Sequence, residues 1–337
     1  MTCICSRLAL VAAIVLITAV GCTNNASTGS QTPSAASDDD HEPSAAKRRS
    51  LVMIPKATQA AFWNAVRRGA ERAAAESNVD LTWKGPSRDN DRTEQKKLIQ
   101  QFLNEGYDGI LLAPLDNVIL VPEARAAKQK GIPLVIFDSA MDGAPGEDFV
   151  SFVATDNLEA GRMGGKHLMK LVGEGGKTIL FRHMEGQQST DHREAGALEE
   201  MKAAKAEILI DNRYTGRDAN ESQRAALNMI DAIREADGIF ASNQTSSEGL
   251  VIALRKNNLA GKVKVVGFDS SPELVQALVK GDVNALVLQD PETMGYTAVQ
   301  TMVAHLDGKP VDPVINTACR VVTKENMNEA AIKPLLQ

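Results

Sequence analysis

Residues 131–139 read GIPLVIFDS and residues 263–270 read VKVVGFDS. Each stretch is largely apolar and closes on the same triplet, Phe137-Asp138-Ser139 in one and Phe268-Asp269-Ser270 in the other. A strand with one wet face alternates apolar and polar residues. A run with few breaks predicts a parallel strand covered on both faces. In open parallel sheets ligands gather beyond the carboxyl ends of the strands, which is where Asp138 and Asp269 stand. Aspartate and serine also favour helix N-caps, so position alone leaves both roles open. The repetition of the triplet points to two similar units that face one crevice.

The flanking sequence extends the pattern. Residues 51–55 (LVMIP), 79–83, 109–113 (GILLA) and 133–137 read as strands, separated by helical patterns over 62–77, 92–105 and 119–130. The alternation then restarts. Strands are expected at 178–182 (TILFR), 207–210, 238–241, 263–268 and 285–289, and helices at 157–172, 191–203, 218–236, 246–257, 272–280 and 291–306. Repeated strand–helix units imply an α/β fold of two doubly wound parallel-sheet lobes.

Composition bounds the function. The 337 residues are 43% apolar and 24% charged, the balance of a globular chain, and only 4% aromatic, so the core is aliphatic. With 37 basic against 43 acidic residues, the net charge of −6 gives no basic face for nucleic acid. The apolar run 8–20 follows a single charge, Arg7, and is shorter than the roughly 20 residues of a bilayer span. It ends Ala19-Val20-Gly21-Cys22, which resembles a bacterial lipobox. Residues 1–21 are therefore read as a secretory signal and Cys22 as the lipidated first residue of a membrane-anchored, periplasmic-side protein. Residues 22–49, rich in Ser, Thr, Asn, Asp and Pro, are expected to form a disordered tether. Cys319 is then the one thiol left over, so no intrachain disulfide is expected.

Catalytic and metal motifs are not evident. The glycines of GEGGKT (173–178) lack the spacing of a phosphate loop and precede a strand instead of following one. The five histidines show no metal-ligand spacing. No enzyme activity, metal or cofactor is expected. Strand ends carry polar, planar side chains instead: Asp138, Arg193, Asn243, Asp269 and Gln289, with Phe62-Trp63 opening the first helix. Carboxylates, amides and a guanidinium each reach two neighbouring hydroxyls, and flat rings match the C–H face of a sugar.

From residue 50 onward the chain resembles the periplasmic sugar-binding proteins of the ribose/galactose type, the ligand modules of ABC importers. The matching stretches are 51–63, GILLAPLD (109–116), GIPLVIFDS (131–139), ATDNLEAG (154–161), REAG (193–196), FASN (240–243), VVGFDSSP (265–272) and QDPETMG (289–295). The resemblance implies the periplasmic binding protein type 1 fold. Residues 50–154 plus 290–317 would form one lobe and 155–289 plus 318–337 the other, with three crossovers as hinge. It implies a monosaccharide or related polyhydroxy ligand held by Phe62, Trp63, Asp138, Arg193, Asn243, Asp269 and Gln289. It also implies an ABC permease as partner, with a monomer expected. A chemoreceptor or sensor kinase is the alternative recipient. Members often carry asparagine before the aromatic pair and arginine after the first aspartate; here Ala60-Ala61 and Ser139 stand there. Lys56 and Gln59 either replace those contacts or are solvated loop residues, and Ser139 is a further candidate ligand contact.

Overall fold

The computed structural model describes residues 48–88 and 90–336. The signal over 1–21, the lipidation site Cys22 and nearly all of the tether lie outside them. Arg48 and Arg49, at the tether's end, already have partners: Arg48 pairs with Asp80, and Arg49 with Asp307 and the Leu306 carbonyl.

The elements in order are β1 (Ser50–Ile54), α1 (Ala61–Glu76), β2 (Asp80–Trp83), α2 (Arg92–Glu105), β3 (Gly109–Leu112), α3 (Val121–Gln129), β4 (Leu134–Phe137) and β5 (Ser151–Thr155). They continue as α4 (Asn157–Val172), β6 (Lys177–Phe181), α5 (Gln188–Ala203), β7 (Glu207–Ile210), α6 (Ala219–Asn228), α7 (Ile230–Glu235), β8 (Gly238–Ala241) and α8 (Gln244–Lys256). The rest are β9 (Lys264–Phe268), α9 (Pro272–Lys280), β10 (Ala285–Gln289), α10 (Pro291–Leu306), β11 (Val314–Thr317), β12 (Cys319–Val322) and a short 3-10 turn, Lys333–Leu335.

Two six-stranded sheets result, ordered β2-β1-β3-β4-β5-β11 and β7-β6-β8-β9-β10-β12. The orders are the same strand for strand. Pairing is parallel throughout except at β12, which runs antiparallel to β10, whereas its counterpart β11 is parallel to β5. The central strands β3, β4 and β8 are buried along their whole length, as their apolar runs require. Apolar clusters cover both faces of each sheet. Each fully buried Leu, Ile or Phe there contributes about 1.5–3 kcal/mol relative to exposure.

The chain passes between lobes at three places: from β5 to α4, from β10 to α10, and from β11 to β12. Hydroxyls of Thr155 and Thr317 lie 3.4 Å apart and join the first crossover to the third. In each lobe one helix pair crosses at glycine. A Cβ on Gly69 of α1 would lie 1.9 Å from the Glu292 carbonyl oxygen of α10; one on Gly161 of α4 would lie 2.1 Å from the Arg193 carbonyl oxygen of α5. Only glycine permits such approach.

One helix and three strands differ from the sequence reading. The helix expected over 218–236 is two, broken at Met229, whose N–H turns back to the Ala226 carbonyl. Strand β5 was not expected, because its apolar run Phe152-Val153-Ala154 is too short to stand out. Strands β11 and β12 were also not foreseen, being sheet-edge strands that leave most residues partly or fully exposed.

Candidate functional site between the lobes

The strand order turns at β1 in one sheet and β6 in the other, each flanked by strands that lead in opposite directions along the sheet. Such switch points open a crevice at the carboxyl ends. The loop after β1 carries Lys56 and the first turn of α1 carries Phe62 and Trp63; the segment after β6 carries Gln187, Ser189 and Arg193. All of them, with Asp138, Asn243, Asp269 and Gln289, line one pocket of about 50 Å³ between the lobes.

Asp138 and Asp269 occupy equivalent places with equivalent backbones. Their φ angles are 62° and 65°, in the left-handed region that costs most side chains energy. Their amides donate to the carbonyls of Val153 and Val287 on the neighbouring strands. Both are buried. The N-cap of α9 is Ser271, not Asp269, so the capping role falls elsewhere. Strain of this kind persists where surrounding structure fixes it, and it clusters at ligand sites.

Around Asp269 the second lobe supplies every partner. Its carboxylate accepts from the Gln289 amide at 2.7 Å and from the Gln244 backbone N–H at 3.2 Å. Burial pushes its carboxyl above the ordinary range, opposed by the Arg193 guanidinium and the Gln289 amide and reinforced by Asp138. Arg193 is itself fixed: Nε donates to Asn157 at 2.8 Å, Nη1 to the Ser242 carbonyl at 3.3 Å, and the guanidinium lies 4.1 Å from the Phe268 ring centroid. Arg193 Nη2 and Gln289 Oε1 are buried yet have no hydrogen-bond partner among the described residues. A donor and an acceptor left open in one polar pocket suit a hydroxyl, which is both.

Around Asp138 the first lobe relies on Lys56. The ammonium lies 2.9 Å from the Asp138 carboxylate and donates at 2.9 Å to Ser189 Oγ of the other lobe. Asn157 Nδ2 donates across the cleft to the Asp138 carbonyl at 3.4 Å, and three further bonds bridge it nearby. Ser189 N–H donates to Ser139 Oγ at 3.1 Å, Ala140 N–H to Gln188 at 3.2 Å, and Phe62 N–H to Gln244 at 3.3 Å. The lobes are thus closed on each other. Phe62 and Trp63 meet edge to face at 4.9 Å, and Trp63 stands against Phe137 at 6.4 Å.

The structure brings Phe62, Trp63, Asp138, Arg193, Asn243, Asp269, Gln289 and Lys56 to the pocket. Ser139 is fully buried and serves the interlobe bond instead of lining the pocket. Gln59 is exposed and lines an adjoining, outer hollow. Asn243 is partly committed: its Oδ1 accepts from Ser246 N–H and Oγ as the capping box of α8. Sequence reasoning missed Gln187, Ser189, Thr190, Gln244 and the positioning role of Asn157. Asn157 lies inside the ATDNLEAG stretch, and Gln244 follows Asn243 directly; the segment around Ser189 carries no strand-end pattern. Among the described residues no group of His, Cys, Asp or Glu could hold a metal ion. Cys319 is a free thiol whose ionisation burial pushes up to about 12.

This geometry, two matched α/β lobes closed over a polar pocket, is that of a solute-binding protein. The chain belongs to the periplasmic binding protein family: a family model described as a periplasmic binding protein domain matches residues 51–310. The D-allose-binding periplasmic protein of Escherichia coli is 30% identical over 266 residues, 77% of this chain and 86% of that protein. An ABC transporter solute-binding protein from Agrobacterium vitis, solved with bound D-fucose, superposes with a TM-score of 0.81 at 29% identity, covering 86% of this chain and 100% of that one. A carbohydrate transporter solute-binding protein from Agrobacterium radiobacter, in complex with D-arabinose, gives 0.81 at 28% identity, covering 86% and 99%. The ribose/galactose-type resemblance read from the sequence holds.

Proposed function

We propose that this protein is a lipid-anchored binding protein of the cell envelope that captures a sugar or sugar-like molecule between its lobes and delivers it to an ABC importer. The observation that carries the reading is the pair of strand-end aspartates from separate lobes, directed with Arg193 and Gln289 into one pocket walled by Phe62 and Trp63. The relatives solved with D-fucose and D-arabinose support the same ligand class. The lipobox ending at Cys22 supports the anchor.

Residues 50–154 plus 290–317 move as one body and 155–289 plus 318–337 as the other, turning at the three crossovers. Bonds from a ligand to both lobes exist only when the lobes meet, so ligand shifts the population toward the closed form. The permease then reads the closed rim.

A thermal-shift screen of the tetherless protein against pentoses, hexoses, 6-deoxyhexoses and polyols tests the capture. A ligand at about a hundred times its Kd adds about 2.7 kcal/mol of stability. A sugar that raises the midpoint and changes Trp63 fluorescence is the expected outcome; no response to any carbohydrate contradicts it. For the anchor, Cys22→Ala is expected to move the protein from the membrane to the soluble fraction.

A further inference from the structure

Two hollows meet at Trp63. The inner one is the polar pocket of about 50 Å³; the outer one measures about 460 Å³ and shares Ala60, Trp63, Gln244 and Thr245 with it. The remaining outer wall comes from the loop after β1, from α8 and from the segments that follow the strands β2 and β7, the latter including the start of α6. Those strands are the edges opposite β11 and β12, so the outer hollow lies on the side of the cleft away from the crossovers. The lobes are already bridged by Lys56–Ser189 and Phe62–Gln244, yet this space stays open. Ligand pockets span about 300–1,000 Å³; the outer hollow is in that range and the inner pocket is well below it. Ala60 lines both hollows, and its side chain is a single methyl group.

We infer that the ligand is a conjugated sugar, a glycoside or disaccharide, whose first ring is held by the inner polar groups and whose second unit lies beside Trp63 in the outer hollow. The inference rests on the sugar-capture reading and narrows it. Charges of both signs line the outer wall, Arg88 and Arg217 against Asp218, Glu221 and Glu248, and Arg217 is engaged by Glu221 at 2.6 Å. That mixture suits a neutral second unit and not a phosphate, which needs a basic face. An aromatic or sugar ring gains from contact with Trp63.

The test is calorimetric titration with D-ribose, D-allose, D-fucose and D-arabinose, and with both anomers of their phenyl glycosides. A phenyl glycoside is expected to bind about ten-fold tighter than its parent sugar, a difference of about 1.4 kcal/mol. Ala219→Trp and Ser87→Trp, which fill the outer hollow from either lobe, are expected to erase that gain while leaving the parent sugar within about two-fold. Parent sugars that bind while all their glycosides bind equally or more weakly overturn the inference and leave sugar capture standing. A glycoside advantage that survives both tryptophan variants also overturns it. If neither free sugars nor glycosides bind, the sugar-capture reading itself falls.

Discussion

The two lobes end a strand on aspartate with nearly the same backbone, φ 62° at Asp138 and 65° at Asp269, and then neutralise it in different ways. The second lobe keeps its compensation at home: Gln289, the Gln244 amide and Arg193 all come from that side, and Arg193 is fixed by Asn157, Ser242 and Phe268 before any ligand arrives. The first lobe uses Lys56, whose ammonium also reaches Ser189 across the cleft. One half-site is therefore preorganised, and the other is coupled to closure. Preorganisation lowers the cost of ordering on binding, while a charge shared across the cleft makes affinity depend on how well the lobes meet.

The sharpest way to break this contrast is Lys56→Met. It leaves Asp138 charged, unpaired and buried in the closed form only, which costs about 3–5 kcal/mol, so ligand affinity is expected to fall on the order of a hundred- to several-thousand-fold. Opening of the cleft is expected to expose Asp138 to water, so the thermal midpoint without ligand is expected to change much less. Adding Asp138→Asn to Lys56→Met is expected to recover part of the lost affinity; titration of both variants checks this. An unchanged affinity in Lys56→Met would show that closure does not use the pair.

A second test compares the glycine crossings. Gly69→Ala and Gly161→Ala each force a Cβ into a carbonyl oxygen and are expected to cost about 1–3 kcal/mol in urea unfolding. Only Gly161→Ala also weakens ligand binding, because the atom it displaces belongs to the Arg193 backbone. Equal effects on affinity from the two would remove the distinction between lobes.

The smallest effect concerns pH. Asp191 lies on α5, 3.6 Å from Arg182, and burial together with the Glu194 charge raises its carboxyl from 3.8 to about 6, opposed by Arg182 and the Gly186 N–H and assisted by Glu185. A carboxyl raised on folding binds its proton more tightly in the native state. Its contribution is therefore present in full below pH 3.8 and lost as pH rises through about 6. Thermal midpoints of Asp191→Asn are expected to lack the part of the decline over that window that the wild type shows. Asp191 lies on α5 of the second lobe, so the difference in slope reports on that lobe. Parallel curves for the two proteins would contradict the assignment.

Much of this was legible in the sequence, for identifiable reasons. Strands β3, β4 and β8 announced themselves because burial on both faces demands unbroken apolar runs. The repeated Phe-Asp-Ser triplet gave away the pairing of lobes because both sheets place the same residue at the same strand end. What stayed hidden is set by tertiary contact. Strands β11 and β12 need few apolar residues at a sheet edge, and the break at Met229 interrupts a pattern that remains apolar on one side. Lys56 was one of two candidates from the first strand–helix loop; only the fold separates it, buried on Asp138, from the exposed Gln59. Ser189 and Gln244 act across the cleft, a relation that no local pattern encodes.

Both lobes grip one molecule, and titrating Asp138→Ala and Asp269→Ala with the sugar that stabilises the wild type tests this most directly. Loss of saturable binding in both variants, with each still folded by circular dichroism, is the predicted result. Wild-type affinity in either variant would mean that its lobe does not hold the ligand, and the two-sided site would be contradicted.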